Sequence, residues 1–162
     1  MSNQIPNVTK ERQRALAEMV RLVRLQQIAS DKMDDAFSRM TGINLTDGRC
    51  LDLLDVHDGL TAGELAEAAS LSPGAVTTVL DRLEAMGLVT RTRDQADRRR
   101  VLIELTPKAR ELAFKAYGPV AAYAREYIEQ LTDEEIKIIS RFLELAIEVN
   151  ERRARELQAD EG

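Results

Sequence analysis

From residue 8 to about residue 40 the chain runs without Pro or Gly. Leu16, Met19, Val20, Val23, Ile28, Met33 and Phe37 recur there at helical rather than alternating spacing. A helix this long near the N-terminus calls for a partner surface, and residues 41–44 break it. Four helix starts then share one grammar. Leu45-Thr46 opens a helix to about His57, with Thr46 as its expected cap. Leu60-Thr61-Ala62-Gly63-Glu64-Leu65 reads as a capping box: Thr61 accepts from the third helical N–H and Glu64 reaches back, while Leu60 and Leu65 sit at the staple positions. Ser72-Pro73 places a good N-cap before a proline whose missing N–H is harmless at the first helical position. Leu131-Thr132-Asp133-Glu134-Glu135-Ile136 repeats box and staple, and opens a long helix to about Gln158.

Between the third of these helices and the tail the period changes. Gly87 is placed to end helix 73–86 in a left-handed cap. Residues 88–93 and Val101–Leu105 read as two short strands around a polar turn at 94–99. Thr106-Pro107 caps a further helix, which Gly118-Pro119 is expected to bend or interrupt. The order is therefore long helix, three short helices, hairpin, two further helices. The expected fold is mainly α with a small β-hairpin wing, without internal repeats or low-complexity linkers.

Helix 61–69, a tight turn at Ser70-Leu71 and helix 72–86 have the size of a helix-turn-helix. At 100° per residue, Val76, Val79, Leu80 and Leu83 share one face of its second helix, and Gly74, Thr77, Thr78, Asp81 and Arg82 share the other. Short side chains there let the backbone come close to DNA, and hydroxyls with one Arg suit base edges or phosphates. The same face also fits an ordinary solvated helix, so the hairpin decides. Its tip, Asp97-Arg98-Arg99-Arg100, follows Arg91 and Arg93 on the opposing strand. Exposed arginines at a narrow tip suit a minor groove, with Asp97 expected to hold a neighbouring Arg by a bidentate pair.

Charge at first argues against nucleic acid, since the net is −5. Its distribution reverses that inference. Residues 1–60, 61–110 and 111–162 carry −1, +1 and −5 respectively, and the short stretch 91–100 alone carries +3. The acid lies in the tail and the base at the hairpin, so the local field is what matters.

The run from Leu71 to Arg91, which contains Asp81-Arg82-Leu83-Glu84 and Gly87-Leu88-Val89, then Asp97-Arg98-Arg99-Arg100-Val101 and Leu105-Thr106, resembles the multiple antibiotic resistance regulator (MarR) family. The element order matches over nearly the whole chain and the motifs over about 60–110. The resemblance implies a transcription regulator, a repressor, that binds a pseudo-palindromic duplex DNA operator as a homodimer. It implies an N-terminal dimerisation helix in 1–40, a winged helix-turn-helix lobe in 45–106 and C-terminal dimerisation helices in 107–162. Helix 73–86 would be the recognition helix, with Thr77, Thr78 and Arg82 facing DNA and Arg98 or Arg99 at the wing tip. The DNA-binding set expected overall is Ser72, Gly74, Thr77, Thr78, Arg82, Arg91, Asp97, Arg98, Arg99 and Arg100. A small aromatic or phenolic effector would release the operator from a pocket near helices 8–40, 46–57 and 107–128. One departure is that many family members carry Arg where this chain has Thr78, so base preference does not transfer.

The remaining signals point to little chemistry. Cys50, among Leu51, Leu53 and Leu54, reads as a buried thiol rather than a redox switch. His57 is the only histidine; it fits the end of a helix or the wall of the effector pocket, and Asp52, Asp55 and Asp58 spread around the helix instead of converging on a metal. No phosphate loop or nucleophile elbow is present, so no catalytic residues or cofactor are expected. Residues 1–11 lack the apolar core of a signal peptide, no run approaches a membrane span, and one cysteine suits the cytoplasm. The rival from another class is a winged-helix protein–protein adaptor without DNA binding, whose mark would be a neutral or acidic wing.

Overall fold

A computed structural model describes residues 9–159; the start expected at Val8 lies outside them. Helix α1 (Lys10–Thr41) is capped by the Thr9 side chain, which accepts from the Arg12 N–H. It ends at Gly42, whose φ of 72° lets its N–H reach Ser38 O. Helix α2 (Leu45–Val56) is capped earlier than expected: Asn44, not Thr46, is extended and accepts from the Asp47 N–H. Thr46 lies inside the first turn, where its hydroxyl is out of place for that donor. Strand β1 (Leu60–Thr61) follows, then α3 (Ala62–Ala68), α4 (Pro73–Ala85), β2 (Val89–Arg93), β3 (Val101–Leu105), α5 (Pro107–Ile128) and α6 (Asp133–Ala159). No described helix is long and apolar enough to cross a membrane.

Both capping boxes form. Thr61 and Glu64 exchange their bonds at the start of α3, and Thr132 and Glu135 do so at the start of α6. Gly87, at φ 67°, closes α4: its N–H reaches Glu84 O while the Leu88 N–H reaches Leu83 O, the paired bonds of a Schellman motif. The interruption expected at Gly118-Pro119 does not occur, because α5 continues through Pro119. Alanines at 113, 116, 121 and 122 favour helix on both sides of it.

The sheet is antiparallel in the order β1-β3-β2, with Arg91 opposite Ile103 and Leu60 opposite Ile103 on the other edge. The hairpin was expected and β1 was not. Gly59 makes β1's close approach feasible: at φ 103°, a Cβ there would lie 3.3 Å from the Ile103 carbonyl oxygen. Ile43, Cys50, Leu54, Leu65, Leu80, Leu83, Leu88 and Ile103 form the innermost core under this sheet and helices α2 to α4. The chain divides into two compact units between Leu112 and Ala113, within α5. Among the described residues of the second unit, none is buried.

Candidate nucleic-acid interface

The inner and outer faces of α4 separate as the period requires. Val76, Val79, Leu80 and Leu83 are at most 3% exposed, whereas Gly74, Thr77, Thr78, Asp81 and Arg82 are all exposed. Ser72 caps the helix by accepting from the Ala75 N–H at 3.2 Å. A Cβ on Gly74 would meet nothing within 4 Å, so glycine here leaves open backbone and answers no packing need. The hydroxyls of Thr77 and Thr78 donate to Pro73 O and Gly74 O at 2.9 and 3.0 Å. Their protons are thus used within the helix, and what remains outward is acceptor lone pairs and methyl groups. Such groups match base amino donors and thymine methyls.

The arginines fall into two sets. Arg82 lies against Asp47, with Nε and Nη2 donating to the two carboxylate oxygens at 3.0 and 2.6 Å. That hydrogen-bonded carboxylate holds the guanidinium above its ordinary pKa. Arg91 donates to Glu84 at 3.0 Å and approaches Asp81 at 3.8 Å, tying β2 to α4. Arg100 donates to Glu64 at 2.6 Å and lies 3.9 Å from Asp94, tying the wing to α3. Glu64 thereby serves the capping box and the wing together. The Thr61 N–H, then its hydroxyl, then Arg100 hold the Glu64 carboxyl below its ordinary value. In the second set, the exposed side chains of Arg93, Arg98 and Arg99 have no hydrogen-bond or ion-pair partner among the described residues.

Asp97 differs from expectation. Its carboxylate accepts the Arg99 backbone N–H at 3.0 Å, and no described arginine side chain pairs with it. A short side chain in a tight turn finds the amide two residues on before any long flexible guanidinium. Asp94 acts likewise on Ala96, and its own N–H donates to Arg100 O, closing the loop. The tip is therefore shaped by bonds to backbone amides, which leaves the side chains of Arg98 and Arg99 outside the turn's own network.

Asp47 is the site residue that sequence reasoning passed over. An acid in a first turn reads as a partner of the helix dipole. The missed signal is its spacing: Asp47, Cys50, Leu51 and Leu54 are the buried stripe of α2, so a charge occupies a core position. Cys50 is fully buried, and burial, then the Asp47 carboxylate, pushes its thiol pKa up. His57 is exposed at the C-terminal end of α2, while Asp55 and Asp58 turn to Arg110 at 3.2 and 3.9 Å.

Residues 43–101, from two residues before α2 to the first residue of β3, match the MarR family. The chain is 33% identical over 116 residues to the HTH-type transcriptional regulator YcgE of Bacillus subtilis, covering 72% of this chain and 75% of that one. The chain belongs to the MarR family. Another similar protein is the HTH-type transcriptional repressor Rv2887 of Mycobacterium tuberculosis, 32% identical with 76% and 88% of the two chains covered. Among solved structures, a variant of S. aureus MepR bound to an oligodeoxyribonucleotide is similar at a TM-score of 0.53 and 25% identity, over 81% of this chain and 96% of that one. The MarR winged helix is accordingly the fold of residues that here form α2 to β3.

Proposed function

We propose that this MarR-family regulator is a repressor that binds a pseudo-palindromic duplex as a homodimer. Recognition helix α4 enters successive major grooves and the wing tips enter the flanking minor grooves. The observation that carries the reading is the pair of exposed side chains of Arg98 and Arg99, without a partner among the described residues, at the tip of a hairpin directly after the helix-turn-helix. A guanidinium without an internal partner gives up only water on meeting a narrow, strongly negative groove. The repressor name of Rv2887 and the DNA-bound MepR variant support it. A single lobe makes few contacts, whereas a two-fold dimer reads half-sites about one helical turn apart. Exposed apolar residues along α1 and α6, such as Leu16, Val20, Leu143 and Ile147, support self-association through the terminal helices.

Family membership supports a further reading, in which a small aromatic or phenolic ligand favours the dimer conformation that does not fit the operator. Such release requires different affinities for the two conformations. Thermal shift with small aromatic acids and phenols checks it: a ligand that raises the melting temperature and lowers DNA affinity supports it, and stabilisation without release contradicts it.

The DNA reading is tested by binding to the chain's own upstream intergenic duplex and to a scrambled duplex across a salt series. Tighter binding to the first, falling steeply with salt, is expected. Equal affinity for both, or affinity unchanged over several-fold salt, overturns the repressor reading and returns the adaptor alternative.

A further inference from the structure

Arg82 stands on the exposed face of α4, with a side chain 46% accessible, while the Asp47 carboxylate behind it is 3% accessible. The two are 35 residues apart in sequence and belong to different helices, so packing of α2 against α4 creates the pair. Only the Nε–Nη2 edge of the guanidinium meets the carboxylate, with one bond to each oxygen at 3.0 and 2.6 Å. The Nη1–Nη2 edge has no partner among the described residues. An arginine fork has two such edges, each able to hold a pair of acceptor oxygens or a guanine O6 and N7.

We infer that Asp47 is a positioning residue for DNA recognition: from inside the lobe it clamps one edge of Arg82 so that the other is presented, already oriented, to a pair of acceptors on DNA. The inference rests on the DNA-binding reading above and deepens it. A free arginine loses rotamer freedom when it docks, and a clamped one has lost it on folding, so binding needs less ordering. The burial of Asp47 is otherwise hard to place. Burying a carboxylate against a half-exposed guanidinium contributes little net stability compared with an apolar residue of the same volume, yet the charge occupies the core stripe of α2 with Cys50, Leu51 and Leu54. Its location at the third position of α2 puts the carboxylate close to the positive end of that helix, where a negative side chain is favoured. The acceptors are either phosphate oxygens or the guanine edge, both of which take this fork.

The charge makes the idea testable by sign. Asp47→Asn removes a negative charge from beneath the DNA-facing helix, so simple electrostatics predicts tighter binding. Removal of the clamp predicts weaker binding, by about tenfold if one oriented charge-assisted hydrogen bond to DNA disappears. Arg82→Lys keeps the charge but has one ammonium in place of two edges, so it cannot hold a bidentate pair on Asp47 and another on DNA. It should weaken binding by a similar factor. Binding is measured with the duplex that the unsubstituted chain selects from a randomised pool, and with a shuffled version of it. Melting curves and dimer mass are recorded for each variant.

Weaker binding by both variants, with melting retained, supports the inference. Weakening on both duplexes then assigns the acceptors to phosphate, and weakening on the selected duplex alone assigns them to a base edge. Asp47→Asn binding as tightly as the parent or tighter, or Arg82→Lys binding as the parent does, overturns it. If Asp47→Asn does not fold, Arg82→Lys decides alone. Adding Asp47→Asn to Arg82→Ala should cost no further affinity, because the carboxylate acts only through that arginine. A further drop overturns the inference. If the parent chain selects no sequence and binds shuffled DNA equally, the DNA reading itself has failed, and this inference with it.

Discussion

Helices α4 and α6 are both amphipathic, but only α4 finds its cover within its own unit. The inward residues Val76, Val79, Leu80 and Leu83 of α4 are at most 3% exposed. On α6, Ile136, Ile139, Leu143 and Ile147 follow the same helical spacing, yet they stay 40 to 59% exposed. The difference separates two tasks. The winged lobe closes a core with its own helices and sheet and thereby fixes the outward face of α4. The C-terminal helix has the stripe of a packed helix, and within its own unit nothing among the described residues buries it. On the reading proposed above, recognition is built within one chain and association between two.

The sharpest way to break this contrast is paired truncation of a leucine in each helix. Leu83→Ala should destabilise the lobe by about 3 kcal/mol, as fully buried leucines do. Leu143→Ala should change the unfolding of a dilute, monomeric sample by less than about 0.5 kcal/mol. Denaturant melts at low protein concentration check both, and equal destabilisation would merge the two regions into one core. Charging the α6 stripe comes next. Leu143→Asp should leave helix content intact and shift the chain from dimer to monomer in sedimentation or light scattering, with weaker DNA binding as a consequence. A dimer that survives the aspartate places the association surface elsewhere.

Smaller effects sharpen the picture of the lobe. Thr61→Ala removes one half of the capping box and should cost about 1 kcal/mol. It should also loosen the wing, since Glu64 is held by Thr61 and in turn holds Arg100. Increased hydrogen exchange in β2 and β3 would report this, and unchanged exchange would separate cap from wing. The pH dependence follows from the same carboxylates. Glu64 and Glu135 lie below their ordinary value of 4.5 because their threonine partners bond the ionised form. A depressed folded value means that the contribution is complete above about pH 4.5 and fades as pH falls through the lowered value. Melting temperature should therefore drop on acidification below that point, and Thr61→Ala with Thr132→Ala should make the drop shallower.

Most of the lobe was legible because its signals are local. The two faces of α4 follow from helical period, its start from Ser72-Pro73 and its end from Gly87, and each lies within a few residues of its cause. Strands β2 and β3 were legible for the same reason. What the sequence did not show depends on contacts between distant segments. Strand β1 has two residues and no alternation of its own; pairing with β3 makes it a strand. The Asp47–Arg82 clamp needs the packing of α2 on α4 before either residue has a partner. Asn44, not Thr46, is the extended residue that caps α2, and both residue types are good caps, so composition alone does not choose between them. Arg91 and Arg100 were expected at DNA with the free arginines, and their engagement by Glu84 and Glu64 was invisible without the fold.

If the wing-tip arginines meet DNA, the salt dependence of binding should differ between the parent chain and Arg98→Ala with Arg99→Ala on the chain's own upstream duplex. The double variant should bind more weakly, with a log–log slope shallower by about one unit for each phosphate no longer neutralised. An unchanged affinity with an unchanged slope would contradict it.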